Sequence, residues 1–585
     1  MAFLVSPGVN TSEIDLTTSV PAVGTSTGAT VGLFRWGPAN TVVQVSSENE
    51  LIEKFFTPDS TSAVSFISAA NFLAYGNDLR VVRVLASQAN NALSSGAANV
   101  SIANDDEYFS NQYASANASV AFAARYPGTV GNSLKVSVCA TANASEFSGW
   151  AYKGFFDAAP ATSAYAKSVT GRSVANDEMH IVVVDEDGVI SGVANTVLER
   201  YSNLSKASDA KGDSGESIYY KEVLYRNSRY IHWMGHPDAT NATTDGNTWG
   251  VTVATANARS AGAFYSPTTS ATTFSLVNGA DGTASAANYE NAVNLFSNKE
   301  LNDVSLLFAG DCGDSASLSV SDQVTVANKF LSVADGRKDC VAFVSPAKAN
   351  VVGTGASASS VVNYRNLLTS GTSYGVMDSG WKYQYDKYSD TYRWVPLNAD
   401  IAGLCVRTDL QRDPWFSPAG LNRGQIRNVV KLAFNPTSSD RDTLYQGGVN
   451  PVVSFPGEGV VLFGDKTLQG RPSAFDRINV RRLFIVLEKA ISRAARSSLF
   501  EFNDEFTRAQ FVALVEPFLR DVQGRRGIFD FRVVCDETNN TPAVVDRNEF
   551  VGDIYIKPAR SVNFIQLNFV AVRSGVAFDE IVGRF

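Results

Sequence analysis

Apolar residues along this chain recur at two different periods, and the switches between them mark the elements. Thr30 to Phe34 and Leu79 to Leu85 read as buried strands. Two helical stretches lie between them, one behind the capping pair Ser47 and Glu50 and one from about Ser62 to Tyr75 with Gly76 after it. This order of strand, helix, helix, strand predicts an α/β unit. A second unit is written further along. There Tyr289 to Phe296 and Ser317 to Val333 have helical period, while Asp303 to Ala309 and Cys340 to Ser345 are strand-like, which predicts a parallel pair. Between the units, Ile181 to Gly192 reads as strand, tight turn, strand. Ala347 to Ser359 has the Gly, Ala and Ser of a flexible loop. Trp381, Tyr383, Tyr385, Tyr392 and Trp394 alternate about a turn at Ser389 and Asp390, as a hairpin requires.

The densest pattern runs from Gly459 to Phe585. After a strand ending at Phe463, a helix is predicted from Ser473 to about Phe500. Val480, Leu483, Phe484, Leu487, Ile491 and Ala494 share one of its faces, and Arg482, Lys489, Arg493 and Arg496 form a stripe opposite. Like charges at these spacings repel, so the stripe invites an anionic partner, although a solvated face or ion pairs within the chain would satisfy it as well. A second helix, Asn503 to Leu519, turns Phe511, Leu514, Val515 and Phe518 inward, and Pro517 is expected to kink or end it. Three strands follow, Ile528 to Asp536, Arg547 to Ile556 and Ser561 to Val572, forming an antiparallel sheet. At the two ends the apolar residues have no evident partner. Met1 to Val20, which includes Ile14, is either a frayed terminus or a strand given to a neighbour, and Val576, Phe578, Ile581 and Val582 lie on a short tail.

Length sets these units in a frame: 585 residues exceed what one core supports, so several domains are expected. The class is mixed α/β and α+β, with a core from about 21–86 and 300–585 and with 87–299 inserted as β-rich parts. Within the insert, Ser87 to Ala121 is so rich in Ala, Ser and Asn that it is expected to add little to any shared core. Hydrophobic residues at 44% and charged residues at 18% are those of a globular protein. No apolar run approaches a membrane span, and the opening MAFLVSPGVN lacks a cationic start and breaks at Pro7, so a cytoplasm-like compartment is expected and no membrane insertion. The net charge of -9 is unevenly placed. From Gly459 onward 18 Lys and Arg face 16 Asp and Glu, against 31 and 42 before it, which argues against a nucleic-acid partner.

Candidate chemistry is sparse. Gly459 to Thr467 resembles a phosphate loop only at a glance, because a strand former, VVLF, stands where an amide cradle belongs. Of the three histidines, His232 and His236 are four apart but lack the Glu of a zinc protease, and His180 is remote in sequence. Asp185, Glu186 and Asp187 lack calcium-loop spacing. The five cysteines form no CxxC pair and read as buried thiols. No catalytic residue, cofactor or metal is expected, and the chain is not expected to be an enzyme.

Four long runs carry a family resemblance: KYQYDKYSDTYRWVPLNADIAGLCVRTD, SPAGLNRGQI, AFDRINVRRLF and CDETNNTPAVVDRNEFVGDIYIKPARSVNFIQLNFVAV. They closely resemble the tail sheath proteins of contractile-tailed, T4-like bacteriophages, densely from Trp381 to Gly583 and in patches before it. The resemblance implies a structural subunit that stacks in six-membered rings around a tail tube and contracts, in the virion, after assembly in the host cytoplasm. It implies as partners other copies of the chain, the tail tube protein, and baseplate and tail terminator proteins. Pro7, Gly8 and Val9 match the family's PGV, which opens an inter-subunit arm. The partition it suggests is an arm at 1–20, core at 21–86, inserts at 87–122 and 123–299 placed outermost, core again at 300–458, a tube-proximal domain at 459–573 and a second arm at 574–585. The cationic stripe would then face an acidic band on the tube. The sheath of a phage-derived injection particle is the alternative with the same core, and a soluble hydrolase the remote one.

Overall fold

A computed structural model of the chain describes residues 24–563 apart from 96–98, 115–118, 172–174, 238–248, 259–263, 265, 267–270, 354–356 and 370, together with Gln566. The terminal residues assigned to arms, Pro7, Gly8, Val9, Ile14, Val576, Phe578, Ile581 and Val582, lie outside the described residues. The described residues form two compact units, one within 24–414 and 418–489, the other of 415–417 and the described residues from 490 onward.

At the centre of the larger unit is a six-stranded sheet. Its order is Gly375–Met377, Val341–Val344, Leu306–Phe308, Gly28–Gly32, Leu79–Arg83, Val43–Val45; the first five run parallel and the last pairs antiparallel at the edge. The strand Gly28–Gly32 is buried at every position, as a parallel strand covered on both faces must be. Two helix pairs flank the sheet, Ala63–Leu73 with Asn398–Gln411 and Ala286–Asn294 with Val320–Arg337. Gly28 is required by close packing: a Cβ there would stand 2.3 Å from the Phe72 ring. Ser47 caps the helix Glu48–Phe55 as expected, but the Glu50 carboxylate reaches back to the Ser46 amide rather than to Ser47. The aromatic hairpin forms as Trp381–Asp386 and Thr391–Pro396, with Tyr383 opposite Trp394.

The insert has its own core, around a four-stranded antiparallel sheet ordered Thr196–Ser205, Glu178–Asp185, Leu134–Cys139, Thr272–Ser275. The predicted tight turn after Asp185 is instead a ten-residue loop. The Asp185 carboxylate organises it, accepting from the amides of Ile190 and Ser191 and from the Ser133 and Ser191 hydroxyls. Ser87 to Ala121 is not the weak contributor expected. Leu93, Ile102, Tyr108 and Val120 are buried in one cluster with Ala123 and Met234, and Asn104 caps a helix at Asp105–Asn111. Few large side chains suffice because these four are wholly enclosed, while Phe109 is exposed. Likewise, Ala347 to Ser359 is not simply a loop, since it carries the helix Lys348–Val351 and enters the helix Ala358–Leu367.

Chain crossings between core and insert lie side by side. Asn90 and Ala280 exchange both backbone hydrogen bonds, and Leu93 and Val277 do the same. Beside them the buried Arg83 guanidinium donates to the carbonyls of Phe34, Gly37 and Arg35 in the core and of Pro127 in the insert. Five donors in a fixed fork suit arginine to such a four-carbonyl site.

In the smaller unit the helix Glu505–Gly524 packs against the hairpin Ile528–Val534 and Asp553–Pro558. Pro517 does not end this helix. It is exposed, as is Ala513, whose carbonyl loses its partner to the proline and is left on the water side. The inward face is Phe511, Val515, Leu519 and Val522 rather than the one drawn around Leu514 and Phe518. Arg547 to Asn548 is not strand: the segment before Asp553 is looped and pinned by Asn540, whose side chain exchanges two hydrogen bonds with the Val551 backbone. The third predicted strand lies mostly outside the described residues.

Candidate functional site

The basic helix spans Ile478–Ala495, five residues later than its expected start at Ser473. The delay has a local cause. Asp465 accepts from the Ile478 amide and pairs with Arg477 at 3.3 Å, closing a loop over residues 465–477 that the helix cannot enter. The same loop answers the phosphate question: Val452–Phe455 and Gly459–Leu462 form a hairpin and Asp465 is buried behind it.

The four cations of the stripe do not share one surface. Arg482 is buried and holds Asp409 with both ends of its fork, at 2.8 and 2.6 Å. Burial works against its charge, but the Asp409 carboxylate more than offsets this and holds the guanidinium protonated above its ordinary range. Lys489 donates to Asp303 at 2.9 Å and to Ser305 Oγ at 3.1 Å, with only 12% of its side chain exposed. These two therefore stitch the part of the helix up to Lys489 into the larger unit. Arg493 and Arg496, in the smaller unit, are exposed. A wheel separates faces but does not say what each face meets. In the first half of this helix Val480, Arg481, Arg482 and Leu483 are all buried, so both sides are covered. Of the apolar face, Val480, Leu483, Leu487, Ile491 and Ala494 are buried and Phe484 is half-buried.

Elsewhere the polar interior is largely paired within the chain, with both ring nitrogens of His232 and Asp400 Oδ2 among the buried atoms of the described residues that have no hydrogen-bond partner. At the carboxyl ends of the parallel strands, where α/β sheets commonly hold ligands, the space is filled by Ser345, Asp378, Asn398, Lys382 and Asp400. Lys382 Nζ meets Asp400 at 2.9 Å with both side chains enclosed. His180 accepts from the Asn203 amide and pairs with the Ala158 carbonyl; His236 pairs with the Tyr220 hydroxyl at 2.6 Å, and burial pushes it down to about 4. His232 stacks on Tyr108 at 3.9 Å. Among the described residues no group of three or more His, Cys, Asp or Glu could hold a metal ion, and no helix is long and apolar enough to cross a membrane. All five cysteines are free and buried.

One surface feature escaped the sequence reading. At the turn between the basic helix and the helix Glu505–Gly524, Leu499, Phe500, Phe502 and Phe506 are all exposed, Phe502 at 85%, and Glu501 stands between them. The run LFEF, acid among aromatics outside any periodic pattern, was the available signal.

Comparison with known proteins agrees over the whole length. Residues 25–84 match the tail sheath protein Gp18 domain III N-terminal region, 282–468 the phage tail sheath protein central domain and 471–571 the phage tail sheath C-terminal domain. The chain is 35% identical to the tail sheath protein of Vibrio phage KVP40, covering 99% of this chain and 100% of that one. It is 34% identical to that of Enterobacteria phage T4, covering 99% of each. The first alignment runs to 679 positions, so that relative carries residues this chain lacks. In fold it is similar to the cryo-EM structure of the anti-feeding prophage helical sheath in its contracted state, with a TM-score of 0.50 at 12% identity, covering 97% of this chain and 99% of the other.

Proposed function

The chain belongs to the phage tail sheath protein family, and from that membership we propose that its copies wind helically around an inner tail tube and shorten together, driving the tube through a host envelope. The observation that carries this reading is kinship from end to end: 35% identity over 99% of the chain takes in the core sheet, the insert and the smaller unit alike. The work is mechanical. Free energy stored in contacts between copies at assembly is released as they exchange for others, so the reading asks for no nucleotide, cofactor or catalytic residue. The partners are other copies, the tube protein, and baseplate and terminator proteins at the two ends, in a virion assembled in the host cytoplasm. Arg493 and Arg496 are the cations of the stripe left at the surface, and they are assigned to an acidic band on the tube. Arms carrying Pro7, Gly8, Val9 and Ile14 at one end and Val576, Phe578, Ile581 and Val582 at the other keep neighbours joined through backbone pairing while rigid bodies turn. A phage tail is favoured over an injection particle because the phage relatives are 34–35% identical over 99% of the chain, whereas the anti-feeding prophage sheath is 12% identical. Negative-stain imaging of the concentrated protein tests the reading: long striated tubes are expected, and uniform compact particles would overturn it.

A further inference from the structure

Two exposed surfaces of the chain are opposite in charge and alike in being apolar. The first is the turn at Leu499, Phe500, Phe502 and Phe506, with Glu501 and Glu505 exposed among them. It is held at a cost. Phe500 has a φ of 69°, in the left-handed region that a bulky side chain rarely adopts, and its ring stands wholly in water. Strain and exposed aromatic surface together are poorly explained by the fold of the single chain. The second surface lies where the helix Asn398–Gln411 ends. Leu410 is 75% exposed there, the next loop exposes Leu421, and Arg412 stands beside them, also exposed. The two segments adjoin because Arg407 donates to the Gln425 carbonyl at 3.1 Å and because Arg412 and Arg423 are near enough to repel. Partial burial, and then the nearby Arg412 charge, lower the Arg423 pKa.

On the sheath reading above, we propose that the acidic aromatic turn of one copy docks on the cationic apolar patch at the end of the helix Asn398–Gln411 of the next copy. Each surface is exposed on its own unit, and they differ from each other. Joining them is therefore a head-to-tail contact, which leaves a free turn at one end and a free patch at the other. Contacts of that kind build rings or helices rather than closed pairs. The aromatic rings supply buried area, and the Glu501–Arg412 pairing sets which copy meets which.

The test uses the full chain under conditions where the unaltered protein forms tubes. Glu501→Arg and Arg412→Glu should each abolish pelletable polymer while leaving the thermal melt unchanged, and the two changes combined in one chain should restore it. Normal polymer from either single variant, or no rescue in the combination, would overturn the proposal. A cross-link places the contact independently, since the native thiols are buried. Phe502→Cys protein mixed with Leu410→Cys protein should give a disulfide-linked pair containing one of each, and only in the polymer. Pairs of two Phe502→Cys chains instead would mean that like surfaces meet, and the proposal would fall. If the unaltered protein formed no tubes, the sheath reading itself would be at fault; tubes without the mixed cross-link would remove this contact alone.

Discussion

Asp378 follows the strand Gly375–Met377 and is fully enclosed. Burial raises its carboxyl to about 7, although the Ser345 hydroxyl and the Gly380 amide both donate to it, and the nearby Asp400 adds to the rise. An unfolded aspartate loses its proton near pH 4. Between about pH 4 and 7 the folded chain thus keeps a proton that the unfolded chain releases, so stability falls as pH rises and levels off above 7. Denaturant melts across that range should show this slope, on the order of 1 kcal/mol per pH unit, and Asp378→Asn should flatten it. An unchanged slope in the variant would mean another group titrates. The neighbouring pair behaves differently. Lys382→Met leaves Asp400 buried without its partner and should cost about 3–5 kcal/mol, whereas Lys382→Met with Asp400→Leu should recover most of that, as replacing a whole buried pair does. Arg482 falls under the same rule, so Arg482→Glu should unfold the larger unit before any question of a tube contact arises.

Tyr108 shows what an element can hide. It lies in a stretch of small and polar residues, yet it is fully buried, its hydroxyl donates to the Trp233 carbonyl and its ring stacks on His232. Tyr108→Ala should cost about 3–5 kcal/mol. Deleting 87–121 should leave an insert that no longer melts cooperatively, and a deletion variant with an unchanged melt would contradict the burial. The stretch was misjudged because composition counts side chains and does not see how completely each is enclosed. Local pattern succeeded where the element makes its own case: the strand at Leu306–Phe308, the cap at Ser47, the register-bearing alternation of Tyr383 and Trp394. It failed where a distant residue decides the outcome. Asp409 lies 73 positions before Arg482 and draws that arginine inside, and no helical wheel contains it. Pro517 is a milder case, harmless because the carbonyl it orphans is on the exposed side of its helix.

For the whole molecule, the exposed cations Arg493 and Arg496 give the assembly prediction. Arg493→Glu with Arg496→Glu should fold with an unchanged melt yet fail to assemble on purified tubes at low salt, and the unaltered protein should lose tube binding as salt rises, since exposed ion pairs are screened. Undiminished binding by the variant would release both residues from that role. The crossing between core and insert has a different consequence. Because Asn90 and Ala280 pair side by side where the chain leaves and re-enters the core, the covalent connection asks only for two adjacent chain ends, and contacts such as the Arg83–Pro127 bond and the Glu53–Arg229 ion pair are what a replacement forfeits. Loop closure there changes little with length. A foreign domain whose own termini lie close together could accordingly replace residues 94–276 and ride on the sheet as a graft. Many copies along one polymer would then turn a tail into a regularly spaced display scaffold.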